Sequence, residues 1–229
     1  MIAAIVPAHN EEGHIRACIE ALRAAGQAPG LQGEPVIVVV VLDACSDRTG
    51  RIADELGAIT VETDGRNVGV ARAVGARLAL EAGARWLAFT DADTLVTPDW
   101  LVAQLALATE VVCGTVAVSD WGVYGAPMQR HFEATYTDAD GHRHIHGANL
   151  GISAEAYRRS GGFEPLTSSE DVAIVEALRA SGASIAWSAA PRVYTSARRA
   201  FKAPGGFGAT LARVGLGLGV GVGLGEGAA

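Results

Sequence analysis

Pro35–Leu42 reads PVIVVVVL, eight consecutive residues without one polar side chain. The run is rich in β-branched residues and too short for a buried helix, so it predicts a central strand covered on both faces. Its neighbours extend the pattern. Ile2–Val6, Ile59–Glu62 and Arg85–Phe89 read as further strands. Between them lie helical stretches. The first is expected to start at an Asn10 cap and close at Gly26. The second is capped by Ser46 or Asp47 and ends at Gly57, and the third runs over Val68–Ala82. Alternating strands and helices imply an α/β fold with a mostly parallel sheet and helices on both faces. In such sheets ligands bind beyond the carboxyl ends of the strands. Pro7–Glu12, Asp43–Asp47, Gly65–Asn67 and Asp91–Asp93 all follow strands, so they are expected to converge on one edge.

Trp86-Leu87-Ala88-Phe89 runs into Thr90-Asp91-Ala92-Asp93. On extended backbone, residues two apart project to the same side. Two carboxylates placed there repel, and burial penalises both. A hard divalent cation relieves this, and Mg²⁺ or Mn²⁺ held by one or two carboxylates normally takes phosphate oxygens as well. The pattern points to a metal–diphosphate site and hence to a sugar nucleotide. An acidic turn after a strand is the alternative.

The second half is less regular. A helix is expected after Thr97-Pro98, a strand over Val111–Val118, and a short helix capped by Ser153. Another helix should run from Ser168 or Ser169 to Ala180, with Gly182 as its stop, followed by short strands at Ser184–Ala190 and Val193–Thr195. Asp120–Arg143 is expected to be irregular. It contains a second Asp-Ala-Asp, Asp138–Asp140, before Gly141. No apolar strand leads into it, so it reads as a turn without a metal. From Gly215 the chain alternates Gly with Leu and Val, which predicts a mobile tail.

Net charge is −7, from 18 basic and 25 acidic residues, which disfavours broad binding of nucleic acid. The three cysteines are scattered and odd in number, as expected for a reduced cytoplasmic protein. No signal peptide and no transmembrane segment are expected, because no apolar run reaches the ~18–20 residues a bilayer requires.

Seven short strings occur in order: Ile5–Glu12 (IVPAHNEE), Leu42–Asp47 (LDACSD), Asn67–Ala73 (NVGVARA), Asp91–Asp93, Gly147–Asn149, Gly161–Phe163 and Glu170-Asp171. In this order the chain resembles the family 2 glycosyltransferases of the GT-A fold over roughly residues 1–200. The resemblance implies a Rossmann-like, mostly parallel sheet. A nucleotide-sugar-binding half would occupy 1–95 and an acceptor-binding half 96–205, with a Gly-rich, disordered tail at 206–229. The acceptor side is expected within Asp120–Arg143.

It also implies residue roles. Pro7, Ala8 and Glu11 would line the nucleoside, and Asp43 would meet the base edge. Leu42 stands where the family has a first acid. Gly65, Arg66 and Ala71 would border the nucleotide, with Asp91 and Ala92 beside it. Asp93 would ligate Mn²⁺ or Mg²⁺ directly, with Asp91 in the metal shell. Asp171 would be the general base, with Glu170 next to it. Acids in a first helical turn also complement the helix dipole without any chemistry.

His146, Gly147, Ala148 and Asn149 are candidate donor or acceptor contacts; as a strand-end histidine, His146 also reads as polar surface. Arg198 and Arg199 are either a solvated patch or a clamp on donor phosphates. They depart from the Gln-x-x-Arg-Trp string of processive members. The expected reaction is metal-dependent, inverting transfer of a sugar from a UDP-, GDP- or dTDP-sugar to a hydroxyl acceptor. The alternatives are a non-catalytic sugar-nucleotide-binding protein on the same fold, or a nucleotidyltransferase.

Overall fold

A computed structural model describes residues 1–197 and 207–218. The residues fall into two compact units. One comprises Met1–Ala117 with Asp138–Thr195, and the other comprises Val118–Thr137 with the chain from Ser196 onward. The halves expected at 1–95 and 96–205 therefore share one unit over most of their length, because one sheet runs through both.

In the first unit the early strands are β1 (Ile2–Ala8), β2 (Val36–Asp43), β3 (Ile59–Thr63) and β4 (Trp86–Phe89). Later come β5 (Thr94–Val96), β6 (Val111–Gly114) and β7 (Ala117–Val118), where the unit boundary falls. After the second unit's first segment follow β8 (Leu150–Ser153), β9 (Ile185–Ser188) and β10 (Val193–Thr195). The main sheet has the order β3-β2-β1-β4-β8-β6-β9. The β1–β2, β1–β4, β2–β3 and β6–β9 pairs are parallel. β8 runs antiparallel to both β4 and β6. This reversal matters for the site. Phe89, the last residue of β4, pairs with Leu150, the first of β8, so Gly147–Asn149 arrive where Asp91–Asp93 depart. Beside the main sheet, β10 pairs antiparallel with β5.

Helices cover both faces. α1 (Ile15–Gly26) buries Ile15, Cys18, Ile19, Leu22 and Ala25, a 3.6-period stripe. α2 (Thr49–Glu55) follows β2. α3 (Val68–Glu81) is capped by Asn67, whose Oδ1 accepts from the Val70 N–H at 3.0 Å. Its buried face is built from small residues, which lets it lie close to the sheet. A Cβ on Gly75 would stand 2.6 Å from Ile5 Cγ2 and 2.9 Å from Val41 Cγ2. α4 (Trp100–Ala106) begins two residues after Pro98.

α5 (Gly125–Thr135) and α8 (Phe207–Gly217) belong to the second unit. α6 (Ala154–Ser160) is capped by Ser153, and α7 (Glu170–Ala180) carries two acids in its first turn. Fully buried Ile2, Ile5, Leu87, Phe89, Leu150 and Ile152 lie in the sheet core. Each such side chain contributes roughly 1.5–3 kcal/mol.

Four sequence expectations are corrected. Asn10 does not cap α1, whose capping position is His14. Instead Asn10 adopts φ 51° and accepts from the Ser46 and Asp47 N–H groups at 2.7 and 3.3 Å, tying two loops together. The strand expected over Val111–Val118 is interrupted after Gly114. Asp120–Arg143 is not irregular throughout, since it holds a 3₁₀ turn at Gly122–Tyr124 and α5. The tail expected from 206 is helical over Phe207–Gly217, because Leu211 and Val214 pack with Trp121, Tyr124 and Met128. A Cβ on Gly215 would lie 3.1 Å from the Tyr124 ring, so the missing side chain permits this packing. Tertiary burial overrides the poor helix propensity of glycine.

Candidate functional site

The carboxyl ends of β1 and β2 are joined by side chains. The Cys45 thiol donates to the Ala8 carbonyl at 3.2 Å, and the Glu12 N–H donates to Asp47 Oδ2 at 3.0 Å. His9 Nδ1 lies 2.6 Å from the Asp43 carbonyl. Asp47 Oδ1 also accepts from the Thr49 N–H at 2.9 Å, but the capping position of α2 is Arg48, without a side-chain cap bond, so neither Ser46 nor Asp47 is the cap expected from the sequence. Glu11 is buried, and its N–H donates to Thr49 Oγ1 at 2.7 Å. Pro7 and Ala8 end β1 beside it.

Asp43 closes the next gap. Its Oδ1 accepts from the Arg66 N–H at 2.8 Å and its Oδ2 from the Asn67 N–H at 2.7 Å. These bonds hold Arg66 in a left-handed conformation at φ 44°, an unusual one for a side-chain-bearing residue. They also place Asn67 to cap α3. Asp43 is 5% exposed, so the acid expected to face a base edge is also a brace of the Gly65–Asn67 loop. Ala71 is fully buried in α3.

Asp91 and Asp93, both half-buried, follow β4 with buried Ala92 between them. Asp91 Oδ1 accepts from Arg72 Nη2 at 2.7 Å, and its carbonyl accepts from the Cys18 thiol at 3.5 Å. Arg72 lies on the buried face of α3 and is 3% exposed. Its Nη1 donates to Glu170 Oε1 on α7, and its guanidinium carbon stands 5.9 Å from the Phe163 ring centroid. Burial works against its charge, but Asp91, Glu170 and Asp171 outweigh that and raise its affinity for the proton. Burial likewise pushes the Glu170 carboxyl up, against the pull of Arg72. Removing one member of such a buried pair costs about 3–5 kcal/mol.

Asp171, half-buried, is oriented by two amides. Oδ2 accepts from the Gly147 N–H at 3.0 Å and Oδ1 from the Val172 N–H at 2.9 Å. Each oxygen keeps acceptor capacity for a further group. A Cβ on Gly147 would collide with the Arg72 guanidinium. One glycine therefore touches both the arginine and the acid.

His146, half-buried, precedes that glycine. Burial pushes its imidazole down to about 4, with Asp171 pulling the other way and His144 and His142 adding to the fall. The three histidines stack, at ring-centroid distances of 5.5 and 5.9 Å. Ala148 is buried. Asn149 is fully buried and engaged at every hand. Oδ1 accepts from Trp100 Nε1 at 2.8 Å, while Nδ2 donates to the Thr115 and Pro191 carbonyls at 2.7 and 2.8 Å. Its geometry is that of a buried strut, so the residue expected as a donor or acceptor contact also ties the chain before β8 to α4 and to the chain before β10. Arg198 and Arg199 lie outside the described residues.

The second Asp-Ala-Asp is held by protein. Asp138 pairs with Arg192 at 2.6 Å and accepts from Thr115 Oγ1 at 2.7 Å. Asp140 Oδ1 accepts from Ser188 Oγ and the Ala189 N–H at 2.7 and 2.9 Å.

Among the described residues, no cluster of three or more His, Cys, Asp or Glu is arranged to hold a metal ion. Asp91 and Asp93 therefore fit only a cation that completes its shell with phosphate and water oxygens. That is the habit of Mg²⁺ and a property of Mn²⁺ sites too.

Arg72 is the residue that sequence reasoning passed over, although it lies inside Asn67–Ala73. The signal was available. It is the single charge in phase with Gly69, Ala76 and Ala79, all on the buried face of α3. A buried charge needs a partner of opposite sign.

The family model for glycosyl transferase family 2 matches residues 3–161. A curated relative, the low-salt glycan biosynthesis hexosyltransferase Agl6 of Haloferax volcanii, is 44% identical over 70 residues, which are 31% of this chain and 16% of that protein. Among solved structures, TarS of S. aureus superposes with TM-score 0.66 at 18% identity, covering 85% of this chain and 36% of TarS. The mannosyltransferase PcManGT from Pyrobaculum calidifontis, in complex with GDP-Man and Mn²⁺, superposes with TM-score 0.64 at 21% identity, covering 87% and 57%. The chain thus spans a minor part of Agl6 and TarS. Across the family match and these folds, it belongs to glycosyl transferase family 2 and adopts the GT-A fold.

Proposed function

We propose that the chain transfers a sugar from a nucleotide-sugar donor to a hydroxyl acceptor by a single displacement with inversion. The observation that carries this reading is the meeting of two acid motifs at one place. Asp91 after β4 and Glu170-Asp171 at the start of α7 belong to one cluster centred on Arg72. The nucleoside rests on the loops after β1, β2 and β3, against Pro7, Ala8, Glu11, Asp43, Gly65 and Arg66. Asp91 and Asp93 would hold a divalent cation, Mn²⁺ or Mg²⁺, whose charge offsets that of the departing diphosphate.

Asp171 takes the proton of the acceptor hydroxyl. The acceptor oxygen then bonds to the anomeric carbon as the carbon–oxygen bond to the diphosphate breaks, and the nucleoside diphosphate leaves with the electron pair. The transition state has oxocarbenium character, as in glycoside hydrolysis. Gly147 keeps Asp171 directed, and His146, held neutral by burial, lies beside it.

Support for a nucleotide sugar with a divalent cation comes from the structural neighbours. A TarS fragment is in complex with UDP-GlcNAc, PcManGT with GDP-Man and Mn²⁺, and the Mycobacterium tuberculosis glucosyl-3-phosphoglycerate synthase with Mn²⁺ and UDP-Glc. Two bases occur among them, so the donor is a matter for experiment. No helix among the described residues is long and apolar enough to cross a membrane.

The test is a screen of UDP-, GDP- and dTDP-sugars with Mn²⁺, Mg²⁺ or EDTA, scored by nucleoside diphosphate release. Turnover that requires metal and is lost in Asp171→Asn supports the reading. Tight binding of a sugar nucleotide without turnover on any acceptor would overturn it in favour of a non-catalytic binding protein.

A further inference from the structure

We propose that Arg72 is a positioning residue, which sets the distance between the donor-side acid Asp91 and the acceptor-side turn Glu170-Asp171. This deepens the glycosyltransferase reading above and rests on it. Three observations carry it. First, one guanidinium reaches two carboxylates from different elements: Nη2 meets Asp91 after β4 and Nη1 meets Glu170 on α7. The fork is planar and rigid, so the two acids cannot drift independently of each other. Second, Gly147 seats this fork. A side chain at 147 would overlap the guanidinium, while the Gly147 N–H donates to Asp171 Oδ2. A shift of Arg72 is thus transmitted to Asp171 through the backbone of one residue. Third, the arrangement is poor as a stabilising device. Arg72 is almost fully buried, and its Nε has no hydrogen-bond partner among the described residues. A buried charge with an unsatisfied donor is expensive, and apolar packing of equal volume often stabilises as well or better. What Arg72 supplies that a leucine would not is geometry.

Lysine can keep the charge but, as a point donor on a flexible stem, cannot hold two acids at a fixed spacing. Arg72→Lys is therefore the informative variant, and the double variant Arg72→Met/Glu170→Gln removes both charges if the single change folds poorly. Two readouts apply to each. In hydrogen exchange, the Gly147 amide should lose protection by about tenfold in Arg72→Lys while the strands of the sheet core keep theirs. In binding and kinetics, with UDP and GDP in Mn²⁺ as probes, diphosphate affinity should change less than threefold while kcat on the donor found by the screen falls by about 10²-fold, the usual cost of an ångström-scale misplacement.

Unchanged Gly147 protection, or a loss spread evenly over the sheet, overturns the proposal, because Arg72 would then be an ordinary structural residue. A kcat per folded molecule equal to wild type overturns it too. If the wild-type chain binds none of UDP, GDP and dTDP, the glycosyltransferase reading fails instead. The exchange readout still decides whether Arg72 sets the position of Asp171.

Discussion

The Gly147 N–H donates to Asp171 Oδ2 at 3.0 Å, so an amide in the turn just before antiparallel strand β8 aims a carboxylate at the start of a helix. Residues far apart in sequence meet because β8 enters the sheet against the direction of β4. This contact frames the first expectation. Asp171→Asn keeps shape and loses proton acceptance, so transfer should fall by roughly 10²–10⁴ with donor binding retained. Steady-state kinetics beside calorimetric titration of the nucleotide decide it. If Asp171 only complements the helix dipole, the change costs about 0.3–1 kcal/mol of stability and spares the rate.

Glu170→Gln should behave in the opposite way. It leaves the buried Arg72 charge with one acid fewer, which costs about 3–5 kcal/mol. Thermal unfolding should show a large fall in Tm and a milder effect on rate. A rate loss at Glu170 with Asp171→Asn still active would mean that the base is the other carboxylate.

Asp93→Ala should leave the fold intact, since Asp93 is half-buried at a strand end. It should weaken Mn²⁺-dependent binding of UDP or GDP by about 10²-fold, at least the upper end of what outer-shell changes cost. Titration calorimetry with and without EDTA measures this. An affinity equal to wild type in Mn²⁺ would remove the metal from Asp93.

Stability should depend on pH through His146. Its folded-state value is pushed down to about 4 by burial, below the ordinary 6.5. The unfolded chain then binds more protons than the folded one between those values. Stability contributed by the neutral ring is present above pH 6.5 and is lost as pH falls toward 4, at no more than ~1.4 kcal/mol per pH unit. His146→Asn should flatten that part of a urea-denaturation pH profile, and an equally steep profile in the variant would assign the slope elsewhere.

Asn149→Ala should destabilise without a specific effect on donor affinity. It leaves the Trp100 indole N–H and the Thr115 and Pro191 carbonyls without their partner. A buried group left unsatisfied costs about 1–3 kcal/mol, so the loss should exceed the ordinary effect of a surface change. Chemical denaturation gives the stability loss, and UDP titration at low temperature checks the binding.

By itself the sequence determined the layered α/β fold, because strand burial and helix periodicity are local properties of composition. PVIVVVVL has no polar face to turn to water, and small residues along α3 leave room only for close packing on a sheet. The order of motifs likewise determined the family, and the Asp-x-Asp spacing marked the strand-end acids. Tertiary structure alone decided which acids meet. Asp43 turned to brace Arg66 and Asn67, Asn149 sank into a buried network, and Arg72 linked Asp91 to Glu170. None of these partners is near in sequence, and a hydrogen bond or ion pair is chosen by three-dimensional distance, which period and propensity do not encode. The helix at Phe207–Gly217 has the same cause. Its glycines disfavour a helix in isolation, and contacts with Tyr124 and Met128, far earlier in the chain, reverse that preference.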